Sequence, residues 1–206
     1  MTAMATELDL EPGLSEALWQ AWLTLELPEG FRAEIIEGFI DVSPTGRRSH
    51  ARIANRLRDA LVRFLEGTGF ASFQDLNVLH GHQVYIPDLV IGPEDLEDIP
   101  DPDGWGVDAT RVSLVAEVVS PGHDGRTRDL IRKRRCYARA GVPVYVIIDD
   151  YDGLGHVSVL TDPDPQTSAY LAEVRMPYGT PVTIPEGPAK GFVIDTAVTG
   201  EPRGAE

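Results

Sequence analysis

Two acidic side chains stand inside apolar runs that predict buried β-strands. Asp88 occurs in the segment VYIPDLVIG, and Glu117 occurs in LVAEVVSP. A buried carboxylate is costly unless a cation pairs with it or it binds a metal ion. For either acid alone, the alternative interpretation is a side chain that faces solvent on an amphipathic sheet. Together they are candidates for a site.

A third candidate, Lys133, is one of only two lysines in the chain, with Lys190. At about 100° per residue on a helical wheel, Lys133 falls on the packed arc beside Tyr137, with Asp129 close to it. The opposite arc, which predicts a solvated face, carries arginines at 128, 132, 135 and 139. The alternatives for Lys133 are an ammonium that reaches solvent at the edge of the apolar stripe, or an ordinary surface pair with Asp129.

Two carboxylates and one lysine at a sheet edge have a specific chemical use. Carboxylate oxygens bind Mg²⁺, or Mn²⁺ in its place, and Mg²⁺ takes only one or two protein carboxylates while it keeps several waters. The metal stabilises charge on a phosphoryl oxygen and helps to deprotonate an attacking water. A nearby ammonium orients that water or neutralises the phosphate. These are the groups of a metal-dependent phosphodiesterase.

The elements that must position these residues follow from periodicity and turn signals. Three helices are predicted, at Leu14–Leu25, Arg47–Glu66 and Asp124–Ala140. A hairpin with its turn at Glu37-Gly38 and four further strands are predicted, at Phe31–Val42, Phe70–Leu79, Gln83–Ile91, Arg111–Val119 and Val142–Ile148. Residues 156–197 predict antiparallel edge strands. The fold class is therefore mixed α/β, a central mixed sheet flanked by helices with an additional antiparallel C-terminal edge.

Composition limits the alternatives. The chain has 206 residues, a net charge of −15, 42% hydrophobic residues and one cysteine, which excludes wholesale disorder, a disulfide framework and a zinc ribbon. No apolar run is long enough for a membrane span, and the acidic N-terminus is unlike a secretory signal, so a cytoplasmic location is expected. We predict a helical extension at 1–29, one domain at 30–199 and a loose tail at 200–206.

The motifs in order resemble the Uma-two family of proposed restriction endonucleases, within the PD-(D/E)XK nuclease superfamily. The matching segments, over about residues 30 to 197, are EIIEG (34–38), SP (43–44), His50, PD (87–88), EVVSP (117–121), D-x-x-x-K-x-x-x-Y (129–137), GVPVYVIID (141–149) and GFVID (191–195). The resemblance implies a restriction-endonuclease-like core in which Asp88 and Glu117 bind the metal. The superfamily lysine normally follows the second acid by two residues, where this chain has Val119, so Lys133 is its natural replacement.

The supporting residues implied by the resemblance are Glu37, His50, Asp129 and Tyr137. From the sequence alone, either Glu34 or Glu37 could add a carboxylate beside the hairpin turn, although turn acids are often solvated. His50 has helical spacing with Ile53, and the alternative for it is a partly buried histidine at a helix N-terminus.

Two functions remain open at this point. The first is a Mg²⁺-dependent DNA endonuclease, in which Arg47, Arg48, Arg52, Arg128 and Arg132 contact DNA if their two helices flank one groove. The second is a catalytically inactive nuclease fold that binds nucleic acid or another protein, which the acidic charge and Val119 favour. The arginines could equally be solvated helix faces. Because two strand cuts need two sites, we expect an isologous homodimer.

Overall fold

The computed structural model describes residues 12–44, 46–96 and 104–202. The helices in these ranges are α1 (Pro12–Leu23), α2 (Arg48–Leu65), α3 (His123–Thr127), α4 (Lys133–Arg139) and α5 (Thr196–Thr199), with a 3₁₀ turn at Ala109–Arg111 and a π-helical turn at Arg128–Arg132. The strands are β1 (Phe31–Ile36), β2 (Phe39–Pro44), β3 (Phe70–Phe73), β4 (Val78–His80), β5 (Gln83–Tyr85), β6 (Leu89–Pro93), β7 (Val107–Asp108), β8 (Leu114–Val118), β9 (Val144–Asp149), β10 (His156–Asp164), β11 (Ala169–Pro177), β12 (Val182–Thr183) and β13 (Val193–Ile194).

A six-stranded sheet with the order β11-β10-β9-β8-β6-β3 forms the centre of the protein. Only β8 and β9 within it are parallel, and the other neighbours are antiparallel. The mixed sheet and its antiparallel C-terminal edge, β10 and β11, confirm the predicted architecture. β12 and β13 pair separately in a small sheet. The end of the chain differs from the prediction, because Thr196–Thr199 forms α5, capped by the Asp195 side chain.

A second, five-stranded sheet has the order β2-β1-β5-β4-β7. The predicted hairpin β1–β2 turns at Glu37 and Gly38, whose positive φ angles of 51° and 78° are those of a two-residue turn that matches the right-handed twist of the two strands. The run predicted as one strand, Gln83–Ile91, is instead divided: β5 joins this sheet and β6 joins the central one. Pro87 lies at the break, where it donates no backbone hydrogen bond, and Asp88 follows it between the sheets.

The predicted strand Phe70–Leu79 is divided in the same way, into β3 and β4. The predicted helix Asp124–Ala140 is interrupted by the π-helical turn at Arg128–Arg132. A π turn inserts one extra residue and therefore rotates the residues before it relative to those after it. As a result Arg128, predicted on the solvated face, is buried, and Lys133 begins α4 on the packed face.

The central sheet is covered on both faces by apolar side chains. One cluster joins α2 to the sheet and the C-terminal segment, and includes Leu57, Leu61, Leu114, Val146 and Ile184. The other joins α4 to the opposite face, and includes Val115, Tyr137, Tyr145 and Leu160.

At the N-terminal end, α1 packs on the hairpin, and Trp22 Nε1 donates to the Ala33 carbonyl at 2.8 Å. Residues 1–11 of the predicted extension and 203–206 of the predicted tail lie outside the described residues. Within the described ranges, no helix combines the length and the apolar character needed to cross a lipid bilayer.

Candidate active site at the junction of the two sheets

Lys133 is fully buried at the first turn of α4, with 0% of its surface exposed. Its Nζ donates to Glu117 Oε1 at 2.7 Å and to the Ile86 carbonyl at 3.1 Å. Glu34 Oε1 lies 2.8 Å from the same nitrogen. Burial alone lowers the pKa of the ammonium, but the Glu117 and Glu34 carboxylates outweigh it and raise the pKa above its usual range. Lys133 therefore carries a fixed positive charge between two acids.

Glu117 is the acid that Lys133 holds most closely. Its position in β8, between Ala116 and Val118, places its side chain on the α4 face of the sheet. Oε1 also accepts the Tyr137 hydroxyl at 2.9 Å. Burial raises the pKa of Glu117 to about 8; Lys133 opposes this rise and the Asp88 carboxylate adds to it.

Asp88 lies beside Glu117, because the register that pairs Leu89 with Ala116 continues by one residue. Its Oδ2 accepts two hydrogen bonds of 2.8 Å, from His50 Nε2 and from the Val118 backbone nitrogen. Its Oδ1 lies 3.3 Å from Arg32 Nη2. Burial raises the pKa of Asp88, but the His50 hydrogen bond and the Arg32 charge prevail and lower it to about 2. Asp88 is thus held ionised.

His50 contacts this cluster from the first turn of α2. Burial lowers the pKa of its imidazole, but the hydrogen bond to Asp88 and the charge of that carboxylate outweigh burial, so the pKa is raised above its usual value. Gly46 makes this approach possible, because a Cβ at that position would overlap the His50 ring. The loop before α2 therefore needs a glycine where it passes over the histidine.

The acid supplied by the hairpin is Glu34 rather than Glu37. Glu34 is fully buried, and its Oε1 accepts the Ile86 backbone N–H at 2.6 Å. Glu37, predicted as a supporting residue, instead pairs with Arg132 and Arg135 at the hairpin turn. The positive φ of Glu37 is that of a turn residue, and its side chain faces the arginines at 132 and 135 rather than Lys133.

Arg32 was missed as a site residue by the sequence analysis, which left Glu34 and Glu37 as alternatives for the hairpin acid. The signal available was the alternation of Arg32 and Glu34 in β1 opposite Ser43 and Asp41 of β2, because residues two apart on a strand share a face. The last four residues of β1 are all buried. The strand therefore lacks the alternation of apolar and polar residues that would have shown which acid faces the interior.

Asp129 lies at the margin of the cluster. It accepts from the Ser120 backbone nitrogen at 3.1 Å and from Arg128 Nε at 2.8 Å. Arg128 is consequently buried in an ion pair rather than displayed on a solvated face. Arg132 donates hydrogen bonds to Asp41 at 2.7 Å and to the Ile36 carbonyl at 2.8 Å, and it forms an ion pair with Glu37. Both arginines thus have structural partners.

An open cleft of about 600 Å³ lies between β2 and the segment 120–128. Arg128 and Arg132 line it from the helix, and Arg47 lines it from the start of α2. Arg47 is exposed, as are Arg48 and Arg52 on the next turns of α2. Of the five arginines predicted to contact DNA, three lie at this cleft.

The donor set at the sheet junction suits a hard divalent cation. Asp88 and Glu117 are adjacent carboxylates, and Glu34 Oε2 is buried without a hydrogen-bond partner among the described residues. In the same ranges, no group of three or more histidine, cysteine or acidic side chains is arranged to hold a metal. Mg²⁺ needs only one or two protein carboxylates, with water and substrate phosphate completing its shell.

Comparison with known proteins identifies relatives. The family model Uma2, described as "Putative restriction endonuclease", matches residues 19–192. The fold is similar to the crystal structure of a "putative nuclease belonging to DUF820" from Anabaena variabilis, with a TM-score of 0.65 and 16% sequence identity over 88% of this chain and 96% of that one. At that identity, the likeness shows a shared fold. No curated protein matches the chain in sequence.

Proposed function

The chain belongs to the Uma2 family and has a nuclease-like fold, and on this premise we propose that it is a Mg²⁺-dependent endonuclease that hydrolyses DNA phosphodiester bonds. One observation carries the proposal: a fully buried lysine lies within hydrogen-bond distance of Glu117, beside a second acid, Asp88, which directly precedes β6. A buried ionic cluster of this kind is costly to the fold, and clusters with perturbed pKa values are typical of functional sites.

In this proposal Asp88 and Glu117 hold the metal, which would stabilise charge on a phosphoryl oxygen and make water more acidic. Lys133 places its charge beside the reacting phosphate, and its hydrogen bonds to Glu117 and Ile86 fix its position. His50 orients Asp88, and Tyr137 orients Glu117. Because Lys133 comes from a helix, the valine at 119 does not remove the cation from the site.

Plasmid nicking tests the proposal. We expect wild-type protein with Mg²⁺ to convert supercoiled plasmid to the nicked form, and Asp88→Asn to abolish this activity. Asp59→Asn is the matched control, because Asp59 is an exposed aspartate on α2 that pairs with its neighbour Arg58. Absence of nicking by wild type across metals and salt concentrations, or equal nicking by Asp88→Asn, would contradict the proposal and favour the inactive binding module.

Three further features belong to the same proposal. DNA is the expected partner, with Arg47, Arg48 and Arg52 as its exposed contacts on α2. An isologous homodimer would supply one site for each DNA strand. Sedimentation equilibrium, which measures the mass of the assembly in solution, tests for this dimer. The cytoplasmic location stays a prediction.

A further inference from the structure

Two hydrogen-bond donors beside the active site have no acceptor among the described residues. They are the Ser43 hydroxyl and the Arg32 Nε, and both atoms are buried. Ser43 as a whole is 6% exposed. Buried polar groups are nearly always hydrogen-bonded, so an orphaned pair needs an explanation. An acceptor that arrives with a ligand is one such explanation.

The two donors are direct neighbours. Arg32 in β1 is the cross-strand partner of Ser43 in β2, and opposed residues of an antiparallel pair project from the same face. Ser43 also lines the cleft of about 600 Å³. Of the two residues, Ser43 lines the cleft and Arg32 does not, so a ligand in the cleft meets Ser43 and reaches Arg32 only across the strand pair.

The charges around the cleft favour an anion. Three arginines, Arg47, Arg128 and Arg132, line it against two acids, Asp41 and Asp124. Arg132 pairs with Asp41, whereas Arg128 pairs with Asp129, which lies outside the cleft lining. Arg32 has a second role, since its Nη2 reaches Asp88 at 3.3 Å. The guanidinium therefore lies between Ser43, its cross-strand neighbour, and the Asp88 carboxylate, and its Nε has no acceptor among the described residues.

We propose that Ser43 and Arg32 bind a phosphate of the nucleic-acid backbone in this cleft, adjacent to the phosphate that is cut. The inference rests on the proposed function and adds to it a subsite that positions the strand. A phosphodiester suits the two donors, because its oxygens accept hydrogen bonds from a hydroxyl and a guanidinium at the same time. Ser43 is thus a binding residue, and Arg32 joins strand binding to Asp88.

Fluorescence anisotropy with a labelled DNA duplex in EDTA tests the subsite without cleavage. Ser43→Ala removes a hydrogen bond to a charged group, for which we expect affinity to fall about tenfold. Ser72→Ala is the matched control, because Ser72 is also a buried serine with an unpartnered hydroxyl, but it lies on β3 and outside the cleft. Inorganic phosphate should compete with the duplex for wild type and compete less well for Ser43→Ala.

The outcomes separate the two proposals. If Ser43→Ala binds the duplex as tightly as wild type while wild type nicks plasmid, the subsite is overturned and the nuclease stands. A tenfold loss in Ser43→Ala alone supports the subsite, even in a protein that does not cut. Equal losses in both serine variants, or a wild type that binds no duplex, overturn it. Thermal unfolding of both variants shows that each is folded.

Discussion

The two faces of the central sheet are built from different chemistry. On the α2 face, beyond His50 at the start of the helix, a cluster of buried apolar side chains meets the sheet, with Leu57 and Leu61 packed toward Leu114 and Val146. On the α4 face, the buried set includes tyrosines and, beside them, the ion pair of Lys133 with Glu117. Strand β8 supplies both faces by simple alternation. The contrast indicates that one face stabilises the fold and the other places charge where water is scarce.

The difference has an energetic meaning. Apolar burial stabilises at about 25 cal/mol per Å², whereas a buried ion pair roughly breaks even and becomes costly once one partner is lost. The α4 face therefore contains groups that a purely structural core would not need. Substitutions of apolar residues on the α2 face should therefore lower stability alone, whereas substitutions of the charged groups on the α4 face should lower both stability and activity.

The largest effect is expected for Lys133→Met, which leaves Glu117 and Glu34 buried without their cation. We expect the free energy of unfolding to fall by about 3–5 kcal/mol and plasmid nicking to fall about 100-fold or more. Urea denaturation measures the free energy of unfolding, and the rate of plasmid nicking measures the activity. Lys190→Met, at the chain's other and exposed lysine, should change stability by less than about 0.5 kcal/mol. A Lys133→Met protein as stable as wild type would refute the ion-pair description.

On the opposite face, Leu57→Ala should lower the free energy of unfolding by about 2–5 kcal/mol, because it leaves a cavity under α2. Below its melting temperature the variant should retain the wild-type nicking rate. Loss of activity in folded Leu57→Ala would show that the two faces are not separable.

A smaller effect is expected for Gly46→Ala. The added methyl overlaps the His50 ring and should cost about 1–3 kcal/mol. Because His50 hydrogen-bonds to Asp88, nicking should fall as well. The double variant Gly46→Ala/His50→Ala relieves the overlap but removes the hydrogen bond to the buried Asp88 carboxylate, so neither activity nor full stability should return. A fully active Gly46→Ala protein would contradict the positioning role of His50.

The smallest effect concerns Cys136, buried on the α4 face. Burial raises the pKa of its thiol to about 11, so at pH 8 only about one thiol in a thousand is ionised. We expect iodoacetamide to react slowly with native protein and rapidly in urea, with the native rate rising as pH increases toward 11. Rapid labelling of native protein at pH 8 would show that this face is open to solvent.

The sequence predicted what depends on local pattern. The hairpin, the apolar strands β8 and β9, and the position of Lys133 on a packed helical arc all follow from periodicity. Lys133 was placed correctly because the residues after the π-helical turn keep one helical register. Arg128, the first residue of that turn, falls outside this register and was assigned to the wrong face. The distinction between Glu34 and Glu37 depends on how β1 meets Ile86, a long-range contact that no local pattern contains.

The most direct test of the central claim is calorimetric titration of Mn²⁺ or Mg²⁺ into wild type and Glu117→Gln. If the polar face of the sheet is a metal-dependent active site, wild type binds the cation with a measurable heat and Glu117→Gln loses that binding while it remains folded. Equal binding by the two proteins, or none by wild type, would contradict the account.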